Sequence, residues 1–398
     1  MQTRNGFQPA ASTQAYLAQI PPDVKQRASD YTHGNHWLLG FGAVVVILIN
    51  LLVLRSGLLE KIGRRLERAR SRPWVISLWV FASYFAAMRL LGLPWAAYTN
   101  WWREVHYGVS HQSGGAWLAE SLVSAVFSCI VLGVLVMLLY AVIRRSPRKW
   151  WLWSSVVTSS VIFFVMVIAP VVLEPAFNDY VPLASGRNHD IVEALAADAG
   201  IPPGRVVSYD GSKQSNNYTA HVAGLFGTAR IAISDALLDK ASEAELRAVV
   251  GHEIGHFVLH HELWMTLLYI VLMTFVFWLT HHLYRPLACM LHEPHSARLA
   301  DPAGLPVIAI IVTVAFLLLA PVTNGVTRFV ESQADEYSLR HVQEPDGMAT
   351  GLLRSANYRA ADPGRVEEWL FYDHPSIARR IDATIAWKAG HPHHAPVP

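Results

Sequence analysis

His252-Glu253-Ile254-Gly255-His256 sets two imidazoles four residues apart with a carboxylate between them. On a helix, positions four apart share a face, so the two histidines can grip one metal ion, and zinc suits such ligands. Glu253 projects beside them, where it can take a proton from a zinc-bound water, the chemistry of metal-assisted peptide hydrolysis. Ser242-Glu243-Ala244-Glu245 has the Ser-x-x-Glu form of a capping box, so a helix is predicted to start at Ser242 and run through the motif. The flanks, Ala248-Val249-Val250-Gly251 and Phe257-Val258-Leu259, carry no charge. That suits a site held in a packed, partly dry wall.

A catalytic zinc takes three protein ligands and keeps one position open. The third is expected on a second helix, and Glu331 in Arg328-Phe329-Val330-Glu331-Ser332-Gln333-Ala334-Asp335-Glu336-Tyr337 is the best placed residue. Glu331 and Asp335 are four apart, so one carboxylate can bind the metal while the other accepts the spare N–H of a zinc histidine. From spacing alone, the same segment also fits a charged, solvated helix face.

The elements that position these residues are set by a composition far from that of a soluble domain. The chain has 398 residues, of which 53% are hydrophobic and only 16% charged, against about 25% charged in ordinary soluble proteins. Mean hydropathy is +0.27. A membrane-crossing helix needs roughly 20 mostly apolar residues, and six stretches qualify: 37–54, 74–92, 117–143, 150–173, 263–283 and 305–323. Trp37, Trp74, Trp150, Trp151 and Tyr284 mark their ends as an interfacial aromatic belt does. The chain is read as a polytopic membrane protein. The net charge of +2 says nothing about partners, and no basic, aromatic-interleaved stripe points to nucleic acid, so none is expected as a partner. Cys129 falls in a span and Cys289 is expected in a loop, so neither a structural disulfide nor a cysteine zinc site is predicted. Residues 1–36 hold no apolar core segment, so no signal peptide is visible; they are expected to be a polar arm, natural or left by the loss of an N-terminal span or signal.

The expected organisation is a four-span region over 37–173, a protease domain over 174–262, a two-span hairpin over 263–323, a C-terminal helical part over 324–390, and a tail over 391–398. The hairpin returns the chain to the face it left, so Glu331 can reach the histidines. Residues 188–200 read as an amphipathic helix, 205–209 and 229–233 as short strands, and 211–217 as an exposed turn.

Gly251-His252-Glu253-Ile254-Gly255-His256 with Glu331-Ser332-Gln333-Ala334-Asp335 resembles the type I CAAX prenyl endoproteases, integral-membrane zinc metalloproteases. Leu93 to Tyr98 with Glu104 to Gly108, Glu174 to Leu183, Gly211 to Asn216 with Gly224-Leu225-Phe226, and Asp373-His374-Pro375-Ser376 with Arg379-Arg380 are similar to further segments of that family. The resemblance covers roughly residues 14–386 with its motifs in order. It implies a mostly α, polytopic fold of about six transmembrane helices enclosing a chamber, with a gluzincin-like α+β zinc protease domain. One Zn2+ is then held by His252, His256 and Glu331, with Glu253 as general base and Asp335 orienting a zinc histidine. His374 and Arg380 are implied to stabilise the oxyanion, and Asn216 to hydrogen-bond a substrate backbone added along a strand edge. Partners implied are a peptide or protein substrate, lipidated or plain, and the bilayer itself. Two departures stand out: a span found upstream in seven-span relatives has no counterpart here, and 217–223 is longer than in eukaryotic members. His221 in that longer stretch is read as a strand histidine, not a ligand.

Lys and Arg concentrate between spans at Arg55, Lys61, Arg64, Arg65, Arg68, Arg70 and Arg72, and again at Arg144, Arg145, Arg148 and Lys149. The positive-inside rule puts these loops in the cytoplasm and the zinc site outside it, in a bacterial inner membrane. The eukaryotic family implies a cytosol-facing site instead. Rival readings are a broad-specificity quality-control protease without a prenyl requirement and a non-enzymatic chamber or transport protein. Internal repeats and interrupted spans, which favour a transporter, are not evident.

Overall fold

The computed structural model describes residues 9–172, 174–214, 218–224, 229–291 and 298–391. Helix α1 (Pro9–Leu17) leads to α2 (Pro22–Arg55), which carries the first apolar stretch and extends it back to a proline-started first turn. The short basic α3 (Leu58–Arg68) buries Leu59 against Val53, Val80 and Ala303 and turns its arginines outward. Helix α4 (Pro73–Ala97) continues through a π turn (Tyr98–Trp102) into α5 (Arg103–His106). Next come α6 (Gly114–Arg145), α7 (Trp150–Val172), α8 (Glu174–Phe177), β1 (Tyr180–Pro182) and α9 (Arg187–Asp198). Strands β2 (Val206–Tyr209), β3 (Ala220–Ala223) and β4 (Arg230–Ser234) precede α10 (Asp235–Lys240) and α11 (Glu243–Val258). The chain ends with α12 (His261–Met290), α13 (Leu305–His341), α14 (Pro345–Arg354), α15 (Arg365–Phe371) and α16 (Ile377–Gly390).

Among the described residues, six helical segments are long and apolar enough to cross a membrane: α2, α4 with α5, α6, α7, α12 and α13. Their principal contacts form a cycle. Helix α2 packs on α4, α4 on α6, α6 on α7, α7 on α12, α12 on α13, and α13 returns to α2. No span is more than 33% buried over its most apolar window. With so little of each buried, every helix of this closed ring turns most of its surface to the bilayer or to the ring's interior, the arrangement a chamber requires.

Two helices depart from the expected boundaries in ways that matter for the site. The apolar stretch at 305–323 is only the first half of α13, a single rod of 37 residues that carries Glu331 and Asp335 directly on the end of a span. Pro321 lies inside it. Cys289, expected in a loop, occupies the last turn of α12, where it is exposed; both it and the half-buried Cys129 are free thiols.

The sheet runs β1-β2-β4-β3, with β2 parallel to β4 and the outer pairs antiparallel. Val192 and Ala196 of α9, Ile231 and Ile233 of β4, and Leu246, Val250 and Ile254 of α11 form one core beneath it. A second core joins Leu17 of α1 to Ala248, Leu339, Met348, Leu352, Ile381 and Ile385. The N-terminal helix is thereby docked on the C-terminal one, and both pack on α14, which in turn packs on the helix that carries the histidines.

Candidate active site

Helix α11 starts with the capping box read from the sequence. Ser242 Oγ accepts from Glu245 N at 3.2 Å, and Glu245 Oε2 accepts from Ser242 N at 2.8 Å. Leu246, Val250 and Ile254 point one face of α11 into the sheet core. Another face is stripped of side chains at Gly251 and Gly255, where α13 crosses. A Cβ on Gly251 would overlap Val342 Cγ2 and lie 2.9 Å from Ser338 Oγ, and one on Gly255 would sit 3.2 Å from Ala334 Cα. Ser338 Oγ donates to Ala248 O at 2.9 Å across the same seam. Only glycines allow the two backbones this close, and the approach brings Glu331 within reach of both histidines.

His252, His256 and Glu331 converge so that their ligand atoms all lie within 4.8 Å of one another. His252 Nε2 is 3.3 Å from Glu331 Oε2 and 3.1 Å from His256 Nε2, and His256 Nε2 is 3.5 Å from Glu331 Oε1. Glu331 is buried, and its Oε2 has no hydrogen-bond donor among the described residues. Two ring nitrogens and an unsatisfied buried carboxylate oxygen aimed at one point are the donor set of a His-His-Glu metal centre, which fits zinc. His252 Nδ1 contacts Asp335 Oδ1 at 2.9 Å, and Arg380 grips Asp335 in a fork, Nε to Oδ2 at 2.7 Å and Nη2 to Oδ1 at 2.6 Å. Burial disfavours a charge on His252, but Asp335 and Glu331 outweigh it and hold the imidazole at about 10. The pocket is built to stabilise a cation. Burial, followed by repulsion from His252, lowers His256 to about 4, so it stays neutral with a lone pair to give.

Glu253 is half-buried beside the cluster. Burial lifts its carboxyl to about 7, His252 and Arg380 pulling it down and Glu331 pushing it up. A carboxyl poised there exchanges protons readily near neutrality. His374 brings Nε2 to 3.4 Å from Glu331 Oε1, while its Nδ1 donates to Asp373 Oδ1 at 2.9 Å. Burial opposes ionisation of Asp373, but the bond from His374 prevails and holds it at about 2, so this oxygen accepts. The segment carrying His374 is fastened to α13 by Arg328, which donates to Glu368 O at 3.0 Å and to Tyr372 O, and by Asn324 donating to Leu370 O at 3.0 Å. Ser376 then caps α16, whose first turn presents Arg380.

The structure therefore brings together His252, Glu253, His256, Glu331, Asp335, His374 and Arg380. Asn216 lies outside the described residues, as do 215, 217 and 225–228, while Gly211–Lys213 at the start of the expected turn form a short helical turn. His221 sits on β3 with Nε2 3.6 Å from Glu174 Oε2, apart from the His-His-Glu group. Glu120 accepts from Gln214 Nε2 at 3.5 Å and ties α6 to the turn after β2.

One contact was not legible in the sequence. His261 Nδ1 lies 3.0 Å from His256 Nδ1, and His261 is buried. Five residues apart, the pair would not share a face on an unbroken helix. They meet because the chain breaks between α11 and α12 at His260, with φ +56°.

Two cavities meet over the cluster. One, of about 580 Å³, reaches past His252 and Val249 to α14. The other, of about 310 Å³, lies beyond His256 against β3, α12 and α13. Glu253 and Glu331 line both. Strand β3, at the sheet edge, packs on α11 with one side unpaired among the described residues.

Residues 182–388 match the model of peptidase family M48, and residues 7–179 match the CAAX prenyl protease N-terminal region, described as five membrane helices. The chain is 26% identical over 367 residues to the uncharacterized metalloprotease YhfN of Bacillus subtilis, covering 91% of this chain and 85% of that one. It is 26% identical over 311 residues to CAAX prenyl protease 1 of Saccharomyces cerevisiae, covering 74% and 68%. The crystal structure of S. mikatae Ste24p shares the fold, with a TM-score of 0.75 over 96% of this chain and all of that one, at 21% identity. Matched over more than half its length by the first model and over its first four membrane helices by the second, the chain belongs to peptidase family M48 and is a membrane metalloprotease.

Proposed function

We propose that the protein is a zinc endopeptidase that cuts a peptide laid across the junction of the two cavities. The observation that carries this reading is that Glu253 and Glu331 line both, so a chain passing over them has room on either side of the bond to be cut. His252, His256 and Glu331 would hold one Zn2+. When bound there, zinc acidifies a water and polarises a carbonyl. Glu253 takes the proton from the attacking water and returns it to the departing amine. His374, backed by Asp373, donates from Nε2 to the oxygen that gains charge. Arg380 spends Nε and Nη2 on Asp335, which leaves Nη1 as a second donor to that oxygen, while the same fork orients His252. The free edge of β3, with Asn216 nearby in sequence, is assigned to the substrate backbone. The basic loops support a placement of the protease end away from the cytoplasm.

Glu253→Gln is expected to keep one zinc per chain and abolish turnover, and Glu331→Ala to lose the metal. Both are read by metal analysis alongside mass-spectrometric mapping of cuts in a farnesylated peptide and its unmodified twin. Full turnover in Glu253→Gln removes the base assignment, and unchanged zinc content in Glu331→Ala removes the ligand. Cleavage of the farnesylated twin alone assigns a prenyl-dependent role, whereas equal cleavage of both assigns a broad one.

A further inference from the structure

The two cavities differ in charge. Besides Arg380, which Asp335 holds, the larger is lined by four cations: Arg27 in the first turns of α2, Lys240 at the end of α10, Arg354 at the end of α14, and Arg359 shortly after it. Its carboxylates are Glu253 and Glu331, both already assigned to the metal chemistry. Arg354 leans on Glu245 at 3.6 Å and Arg359 on Asp373 at 3.4 Å. Arg27 and Lys240 are exposed and, among the described residues, have no ion-pair partner. The smaller cavity, on the other side of Glu253, is lined by no Lys or Arg among the described residues. A peptide spanning both thus meets excess positive charge on one side of the cut bond only.

Resting on the peptidase reading above, we propose that the larger cavity is a subsite for a substrate carboxylate on that one side, with Arg27 and Lys240 as its free cations. The carboxylate is either an Asp or Glu side chain or the peptide's own C-terminus, chemically the same group. Both cations line the same cavity as His252, Glu253 and Glu331, so the subsite acts on peptide placed for cleavage. Two ion pairs of ordinary exposed strength favour a carboxylate over its carboxamide by roughly three- to thirtyfold, and the preference shrinks as salt rises.

The test uses the full-length, zinc-loaded protein in detergent and a short fluorescein-labelled peptide rich in alanine and leucine. An Asp is moved along the peptide position by position, each version paired with its Asn twin, and one pair differs only in a free or amidated C-terminus. Binding is read by anisotropy on Glu253→Gln, and kcat/KM on the wild type. The expected result is a several-fold Asp-over-Asn or acid-over-amide preference confined to one side of the mapped bond. It falls toward unity in Arg27→Gln/Lys240→Gln and turns toward a Lys-bearing peptide in Lys240→Glu. Unchanged melting temperatures show that these exposed substitutions leave the fold intact. The acid-over-amide pair identifies the terminus as the source, and the Asp series a side chain. Equal binding of every pair, or a preference undiminished in the double variant, overturns the proposal. A binding preference with no hydrolysis by the wild type overturns the peptidase reading and leaves the carboxylate subsite standing.

Discussion

His256 can offer Nε2 to a metal only if its proton sits on Nδ1, and that nitrogen faces His261 Nδ1 at 3.0 Å. His261 must then accept, with its own proton on Nε2. A ligand histidine whose second nitrogen is held in this way has its tautomer and ring angle fixed, and losing the partner weakens metal affinity by roughly ten- to a hundredfold. His261→Phe, which keeps the buried ring and removes the acceptor, is expected to weaken zinc binding by that factor in competition against a chromophoric chelator. His261→Asn, which restores an acceptor oxygen, is expected to recover part of it. Unchanged affinity in His261→Phe refutes the role. The pairs His252/His256 and Glu331/Asp335 were legible in the sequence because each spans one helical turn on a regular helix. His261 and Asp373 were not. One depends on a helix break at a residue with positive φ, the other on an adjacent-residue contact that any loop could make or miss.

At the scale of elements, the site depends on how closely α11 and α13 approach. Ala normally stabilises a helix interior by about 1 kcal/mol over Gly, so a surface Gly→Ala change here would help. At Gly251 the added Cβ overlaps Val342 Cγ2 and crowds Ser338 Oγ, and a β-branched neighbour has little rotamer freedom to yield. Overpacking of this kind costs about 1–3 kcal/mol, so the overlap wins. Gly251→Ala is expected to lower the melting temperature, and Val342→Ala added to it to restore part of the loss, because the two changes share one contact. A single variant as stable as the wild type contradicts the seam as described. Hydropathy and capping located the six spans and the start of α11, since both signals are local. The length of α13 was not legible, because its apolar stretch stops near residue 323 while the helix runs on under tertiary contacts to His341. Strands β1 and β3, of three and four residues, are too short to show a period and exist through pairing with β2 and β4.

The whole molecule has two distinct ends. At one, His261 opens α12 beside the metal cluster, α7 runs out toward Glu174, and Glu174 pairs with Arg230 of the sheet. At the other lie α3 and the 144–149 loop with the chain's concentrated Lys and Arg. Helix α12 is 30 residues long, about 45 Å at 1.5 Å per residue, so Cys289 in its last turn belongs to the basic end. Trp150 fixes this, donating from Nε1 to His281 Nδ1 at 2.9 Å and so joining the basic loop to the far part of α12. The natural cysteine is therefore a reporter of orientation. With Cys129 replaced by Ala, the positive-inside rule predicts that a membrane-impermeant maleimide leaves Cys289 unlabelled in intact cells and labels it after permeabilisation. A cysteine placed at the exposed Arg205, on the protease end, is predicted to label in intact cells. The reverse pattern puts the metal site in the cytoplasm, and peptides cut there would have to come from cytoplasmic proteins instead of exported ones.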